Sequence, residues 1–257
     1  MSEELKILII FTIWLFSAYF GSFSSWGVSA LSIALMTMIG IPPQMAGITF
    51  KLGKIGDTLG GLYHFHKGWH IRGEYVLFGG LALMTGSFLG SYIITTLSDT
   101  IMYFGCGISM IVLTTISYLK KEKNTKKQMI SPLRATMGYV TYFVLAIVGN
   151  MFPAGSGVWY YFANTLILKL TPIESKWIAS VLAIFWFVGT FFGILTAGMY
   201  NFPWAIALAL GMFVWWYLGT KHMIHIGDIK LEKILLSTIF LFALYFLYLG
   251  YNSWSSI

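Results

Sequence analysis

The sequence predicts an all-α, polytopic membrane protein made of two homologous halves, and three observations predict it. Of 257 residues, 58% are hydrophobic and 18% aromatic while 10% are charged, with a mean hydropathy of +0.78; a soluble domain carries about 25% charged residues. Apolar stretches follow one another along the whole chain, and at about 20 residues per crossing little length remains for an extramembrane domain. The stretches also restart in the same order after a basic segment at 120–134.

The first half comprises apolar stretches at 5–20, 28–39, 45–63, 75–97 and 101–119. Residues 5–20 could imitate a secretory signal, but Glu3, Glu4 and Lys6 flank them and residues 21–26 make no cleavage site, so they read as a first membrane helix. The second half repeats the pattern at 135–148, 158–168, 177–197, 202–218 and 231–251. The expected organisation is a repeat over 1–119, a basic cytoplasmic linker over 120–134, and a second repeat over 135–257. A shift of 128 residues places Gly21 on Gly149 and Gly27 on Gly155, while shifts of 129 and 130 place Gly90 on Gly219, Pro42 on Pro172 and Gly68 on Gly198. A slow drift of this kind is what small loop insertions leave in a duplicated chain.

The net charge of +7 is better explained by orientation than by nucleic acid, because the basic residues stand in short pieces between apolar runs. The run 5–39 is 35 residues long, about 52 Å as helix, and a hydrocarbon core is about 30 Å. Read as two pieces joined at 21–27, it gives five segments per half and inverted halves. With the N-terminus outside, Lys67, Arg72, Lys120, Lys121, Lys123, Lys126, Lys127, Arg134, Lys169, Lys176, Lys221, Lys230 and Lys233 then all face the cytoplasm, against Lys6 alone outside. Read as one span, it gives four per half, parallel halves and a weaker split of basic residues. The positive-inside rule favours the inverted arrangement, each half having a glycine-interrupted first helix or hairpin plus three transmembrane helices.

The interruptions point to function. Residues 21–27 and 149–157 each end by starting a new helix, and in inverted halves their tips would approach from opposite faces. Helix starts near Gly27 and Gly157 would aim free amides and positive dipole ends at one place. Ser24, Ser25, Ser29, Thr49, Gly155 and Ser156 would add hydroxyls and close backbone approach, making an anion the natural guest. Glycine is also common in ordinary membrane-helix packing, but two interruptions at matching places are the pointer to a transporter site. Lys51, Lys54 and Asp57 recur at a spacing of three within the third stretch, hence along one side of a helix. Charge there is expensive and faces a cavity or a partner. Lys54 and Asp57 are expected to neutralise one another, leaving Lys51 for a substrate anion, with Asp57 the candidate for proton coupling; an ion pair of purely structural use at the wet end of the helix is the competing account.

His64, His66, His70 and Glu74, like His222 and His225, are spaced too loosely for a metal set and read as interfacial residues, so no metal and no cofactor are expected. Trp69, Trp177, Trp204 and Trp254 read as interfacial anchors. Cys106 is the single cysteine, which excludes an intrachain disulfide. No phosphate loop, dinucleotide fingerprint or nucleophile–base set is present, so an enzyme is not expected.

The sequence resembles the TauE/SafE family of sulfite exporters and 4-toluene sulfonate uptake permeases over nearly its whole length. The resemblance rests on the two interruptions, on Gly47, Ile48, Thr49, Phe50 and Lys51, on the turn Phe65, His66, Lys67, Gly68, Trp69, His70 and Ile71, and on the region 86–90. It implies secondary transport of small, often sulfur-containing anions such as sulfite, sulfoacetate or other organosulfonates across a prokaryotic cytoplasmic membrane. The first interruption, serine-rich with only Gly21 and Gly27, departs from the denser glycine cluster of many members. The expected partners are a small anionic substrate and the lipid bilayer, with no nucleic acid and homo-oligomerisation left open. The alternative reading is a non-transporting scaffold or anchor subunit of a larger complex.

Overall fold

A computed structural model describes residues 3–24, 28–59, 73–119, 131–154, 156, 160, 163–170, 172–223 and 228–255. These are mostly helical, with short turns between helices and no strand among the described residues. The long helices are α1 (Glu3–Ser24), α2 (Val28–Met38), α3 (Pro43–Gly53), α4 (Gly73–Ile93), α5 (Asp99–Leu119), α6 (Pro132–Met151), α7 (Pro172–Ala197), α8 (Phe202–Met223) and α9 (Asp228–Ser255). A short wide helical turn, Ala163–Ile167, stands between α6 and α7. Among the described residues, four stretches are long and apolar enough to cross a membrane: Glu74–Thr96, Asp99–Ile116, Pro132–Met151 and Ile178–Ala197.

Local chemistry sets several boundaries. Pro43 and Pro132 occupy first-turn positions, where a missing amide hydrogen costs nothing. The Ser131 hydroxyl accepts from the Arg134 amide at 3.4 Å, capping α6. α3 ends in a turn at Lys54 and helix resumes over 55–59. One expectation needs correcting: residues 21–24 do not interrupt the first run, because α1 continues as helix through Ser24, glycine being tolerated inside buried helices. Residues 25–27, between α1 and α2, lie outside the described residues.

Two hydrophobic cores form. One gathers Tyr75 and Leu83 of α4, Tyr142 and Ala146 of α6, Ala163 and Leu168 beyond it, and Ile178, Leu182 and Trp186 of α7. The other gathers Ile10 and Trp14 of α1, Ile33 and Met36 of α2, Phe50 of α3, Cys106 of α5, Leu208 of α8 and Phe246 of α9. Neither core belongs to one half of the sequence: α4 packs mainly on α6 and α7, whereas α8 packs mainly on α1 and α3.

Glycines bring the helices of the first core close. A Cβ on Gly86 or Gly90 of α4 would lie 2.4 Å from the carbonyl oxygens of Phe143 or Ile147 of α6. A Cβ on Gly189 of α7 would lie 2.0 Å from the Met84 carbonyl oxygen, and one on Gly193 would lie 2.6 Å from that of Phe88. Each pair repeats at four residues, the small-xxx-small spacing by which membrane helices approach through van der Waals contact.

Candidate functional site

Lys51 and the end of α6 meet between the two cores. Pro43 starts α3, and two turns later Lys51 is fully buried. Its Nζ donates to the backbone carbonyl of Asn150, one of the last-turn carbonyls of α6 that lack an intrahelical partner. A cation at this end also meets the negative pole of the helix dipole. Among the described residues, no carboxylate pairs with Lys51. With only a carbonyl to hold it in an apolar setting, the charged form of Lys51 is costly unless a counter-ion joins it.

Asn150 is itself buried and ties three helices. Its Oδ1 accepts from Ser91 Oγ of α4 at 3.0 Å and from Thr190 Oγ1 of α7 at 3.2 Å, and its Nδ2 donates to the Ala146 carbonyl at 2.8 Å. Just beyond, α6 stops: the Phe152 amide closes on Val148 at 2.8 Å, and Pro153 and Ala154 are buried. This tip reaches the other core, where a Cβ on Gly47 of α3 would lie 2.9 Å from Pro153 Cγ, and one on Gly105 of α5 would lie 2.0 Å from the Phe152 ring. Ser156 is buried against Gly149, whose Cβ would lie 3.1 Å from that of Ser156.

The structure therefore brings Lys51 and Ser156 to the same tip. Thr49 is fully buried, and its hydroxyl has no hydrogen-bond partner. Ser29 is buried at the start of α2. Ser25, Gly27, Gly155 and Gly157 lie outside the described residues, as does the side chain of Ser24. So do His64, His66 and His70 and the side chains of His222 and His225, while Glu74 is exposed at the start of α4.

Lys54 and Asp57 make no direct ion pair, though they remain close enough to interact electrostatically. Helix α3 turns at Lys54, and the Lys54 ammonium sits over the Trp186 ring of α7, 5.1 Å from its centroid. Asp57 instead accepts from Thr58 Oγ1 at 3.2 Å. The residues that sequence reasoning missed are Asn150, Ser91 and Thr190. Asn150 was visible as a polar residue in the second interruption, whereas isolated hydroxyls in apolar helices carry no signal of their own.

The TauE/SafE sulfite exporter family model matches residues 10–246, nearly the whole chain. The chain belongs to the TauE/SafE family. A search of curated proteins finds no match. Membership places a multi-pass helical chain among membrane transporters and implies export of sulfite or a related small anion; members are transporters, not enzymes.

Proposed function

We propose that this TauE/SafE protein is a secondary transporter of small sulfur-containing anions, working by alternating access around Lys51. The observation that carries the reading is the buried, carboxylate-free Lys51 ammonium at the seam between two cores. Thr49 and Ser156 would add hydroxyl donors, the interruption residues Ser24, Ser25, Gly27, Ser29, Gly155 and Gly157 would complete the site from both tips, and Asp57 is the candidate for proton coupling.

The packing pattern supports inverted halves. Exchanging α1 with α6, α3 with α7 and α4 with α8 maps the α1–α8 contact onto α6–α4 and the α3–α8 contact onto α7–α4. The contacts also group chain ends as five segments per half require. Thr100 Oγ1 and Ser253 Oγ are 2.6 Å apart, Gln44 donates to the Leu97 carbonyl, and Trp204 Nε1 donates to Glu3 at 3.2 Å. These six residues all belong to the outer face in that count. Leu168 returning against Gly138 suits a hairpin at the second interruption. On this reading 1–119 and 135–257 are the repeats, 120–134 is cytoplasmic, and the protein lies in a prokaryotic cytoplasmic membrane.

The bond to Asn150 favours one other reading, that Lys51 is a structural cap of α6. Counterflow of radiolabelled sulfite, sulfoacetate and methanesulfonate in proteoliposomes separates the two. A Lys51→Met variant that folds like the parent but loses counterflow fits the transport site; one that transports normally sinks it.

A further inference from the structure

Toward the end where Thr100 meets Ser253, the seam beyond Lys51 is closed in two layers. Gly47 stands one helical turn before Lys51 in α3, and a Cβ on it would lie 3.3 Å from Ile94 Cδ1 as well as 2.9 Å from Pro153 Cγ. Ile94 starts the tight turn Ile94–Thr96 that follows α4, yet its side chain is fully buried in the core of α1, α3 and α8 and not in that of α4. Pro153, at the tip of α6, is buried too. The helices of one core therefore send two wedges, from α4 and α6, against α3 at the level just outside the buried lysine. In the next layer Gln44, in the first turn of α3, donates through Nε2 to the carbonyl of Leu97, the residue in extended backbone that closes the Ile94–Thr96 turn. Lys51 follows Gln44 by seven residues, about 10 Å of helix. The Gln44 bond is neutral and only partly buried. Such a bond adds little net stability, since water replaces it when it opens, so it biases an equilibrium without locking it.

From the donation of Gln44 to the Leu97 carbonyl over the contact of Ile94 and Pro153 with Gly47, we propose that this end of the seam is a gate, that Gln44 is its latch, and that the structure holds it shut over Lys51. Withdrawal of the Ile94–Thr96 turn from α3 breaks the Gln44 bond and uncovers Gly47, which has no side chain to refill the space. A route to Lys51 then opens along α3. The proposal rests on the transport reading for what passes the gate, and on the inverted arrangement for the gate being the outer one.

Cys106 reports the state of the gate. It is the single cysteine of the chain, is fully buried, and lies close enough to Lys51 to interact with it electrostatically. It comes seven residues after Asp99 in α5, hence about 10 Å below that end. The test is modification of Cys106 in intact cells by the impermeant sulfonatoethyl methanethiosulfonate, the full chain then being purified and weighed. Wild type, Gln44→Met and Gln44→Glu are compared, with Cys106→Ser as the blank and thermal unfolding recorded for each. Gln44→Met keeps the side-chain length and removes the donor, and is expected to react about fivefold faster than wild type, the weight of one hydrogen bond. Gln44→Glu keeps the shape but donates only when protonated. Its rate is expected to equal that of Gln44→Met at neutral pH and to drop about fivefold below that variant, measured at the same pH, once the carboxyl is protonated. Asp99, exposed two residues beyond Leu97, is common to all three proteins. Equal rates in wild type and Gln44→Met, zero included, overturn the latch and leave the Lys51 reading standing, and so does a Gln44→Glu ratio that ignores pH. Faster reaction of Gln44→Met only from the cytoplasmic side, in inside-out vesicles, overturns the gate as an outer one. Faster reaction from outside in a chain without anion counterflow supports the latch and overturns the transport reading.

Discussion

Lys51 of α3 donates to the backbone carbonyl of Asn150 of α6, and with that bond the two hydrophobic cores are joined at a fully buried charge. Backbone and side chain of Asn150 serve different partners: the carbonyl holds Lys51, while the amide group holds Ser91 and Thr190. The tie to Lys51 and the grip among α4, α6 and α7 therefore pass through one residue.

Asn150→Asp separates the two duties. A carboxylate placed there still accepts from Ser91 and Thr190 but supplies Lys51 with an internal counter-ion. Sulfite affinity is expected to fall by tenfold or more, on the order of 1.4 kcal/mol, with folding retained. Asn150→Ala should instead cost about 1–3 kcal/mol of stability by leaving buried hydroxyls unpaired. Sulfite retention and thermal unfolding of both variants check this, and undiminished affinity in Asn150→Asp would show that the anion does not sit at Lys51.

Gly189→Ala tests the close packing of α7 on α4. The new Cβ would meet the Met84 carbonyl oxygen at 2.0 Å and Ser87 Oγ at 2.3 Å, so a helix must shift. The expected loss is about 1–3 kcal/mol, read as a lower unfolding temperature in detergent. Gly198→Ala meets nothing within 4 Å, but its backbone φ of 72° lies in the left-handed region. Its cost is expected to be about 1 kcal/mol, from the Cβ in that conformation.

The proposed alternating access predicts that tethering the two cores stops transport. Cysteines at Gly47 and Pro153, in a Cys106→Ser background, lie across the seam where the two residues now touch. A short bifunctional thiol reagent should suppress counterflow in the double-cysteine protein and spare each single-cysteine control, with reduction of a cleavable reagent restoring it. Full activity after quantitative cross-linking removes the two-body mechanism.

Glu3 gives a sign for pH. Lys6 donates to its carboxylate at 2.8 Å and Trp204 Nε1 at 3.2 Å, and the Lys6 hydrogen bond leads the causes that hold Glu3 below the usual carboxylate value. A depressed folded-state value means that this tie is present above the ordinary carboxylate range and lost as pH falls through the folded value. The contact of α1 with α8 at this end should loosen on acidification in wild type and be pH-independent in Glu3→Gln. Hydrogen exchange of the first turn of α1 reads the difference.

In the proposed inverted topology, the faces where Thr100 meets Ser253 and Glu3 meets Trp204 are both the outer one. Tags at both termini should be reached by an impermeant reagent from outside intact cells, and a tag within 120–134 only after permeabilisation. Termini reached only from the cytoplasm would restore four spans per half.

Much of this was legible because membrane burial writes itself into composition: each apolar stretch from 75–97 onward that the structure describes corresponds to helix, with ends displaced by a few residues where Pro132 and Ser131 start α6 early. Lys51 was legible for the same reason, a charge being conspicuous among apolar neighbours. The fate of Lys54 was not, since spacing on one helix says nothing of the Trp186 ring that α7 presents to it. Nor was the hub at Asn150, because hydroxyls such as Ser91 and Thr190 are tolerated anywhere in a membrane helix by bonding to their own backbone, and their shared partner exists only once α4, α6 and α7 have packed.

The partition of helices between the cores bears on how the chain is made. α4 is synthesised long before α6 and α7, and α1 and α3 long before α8, so the early helices enter the bilayer without their permanent neighbours. Lys51 and the glycine face of α4 must wait in lipid, or under a chaperone or insertase, until α6 has been made, and α1 and α3 until α8 has. A nascent chain halted after α5 is thus a strong substrate for membrane quality control, and two separately expressed halves can reach the folded state only by assembling with one another.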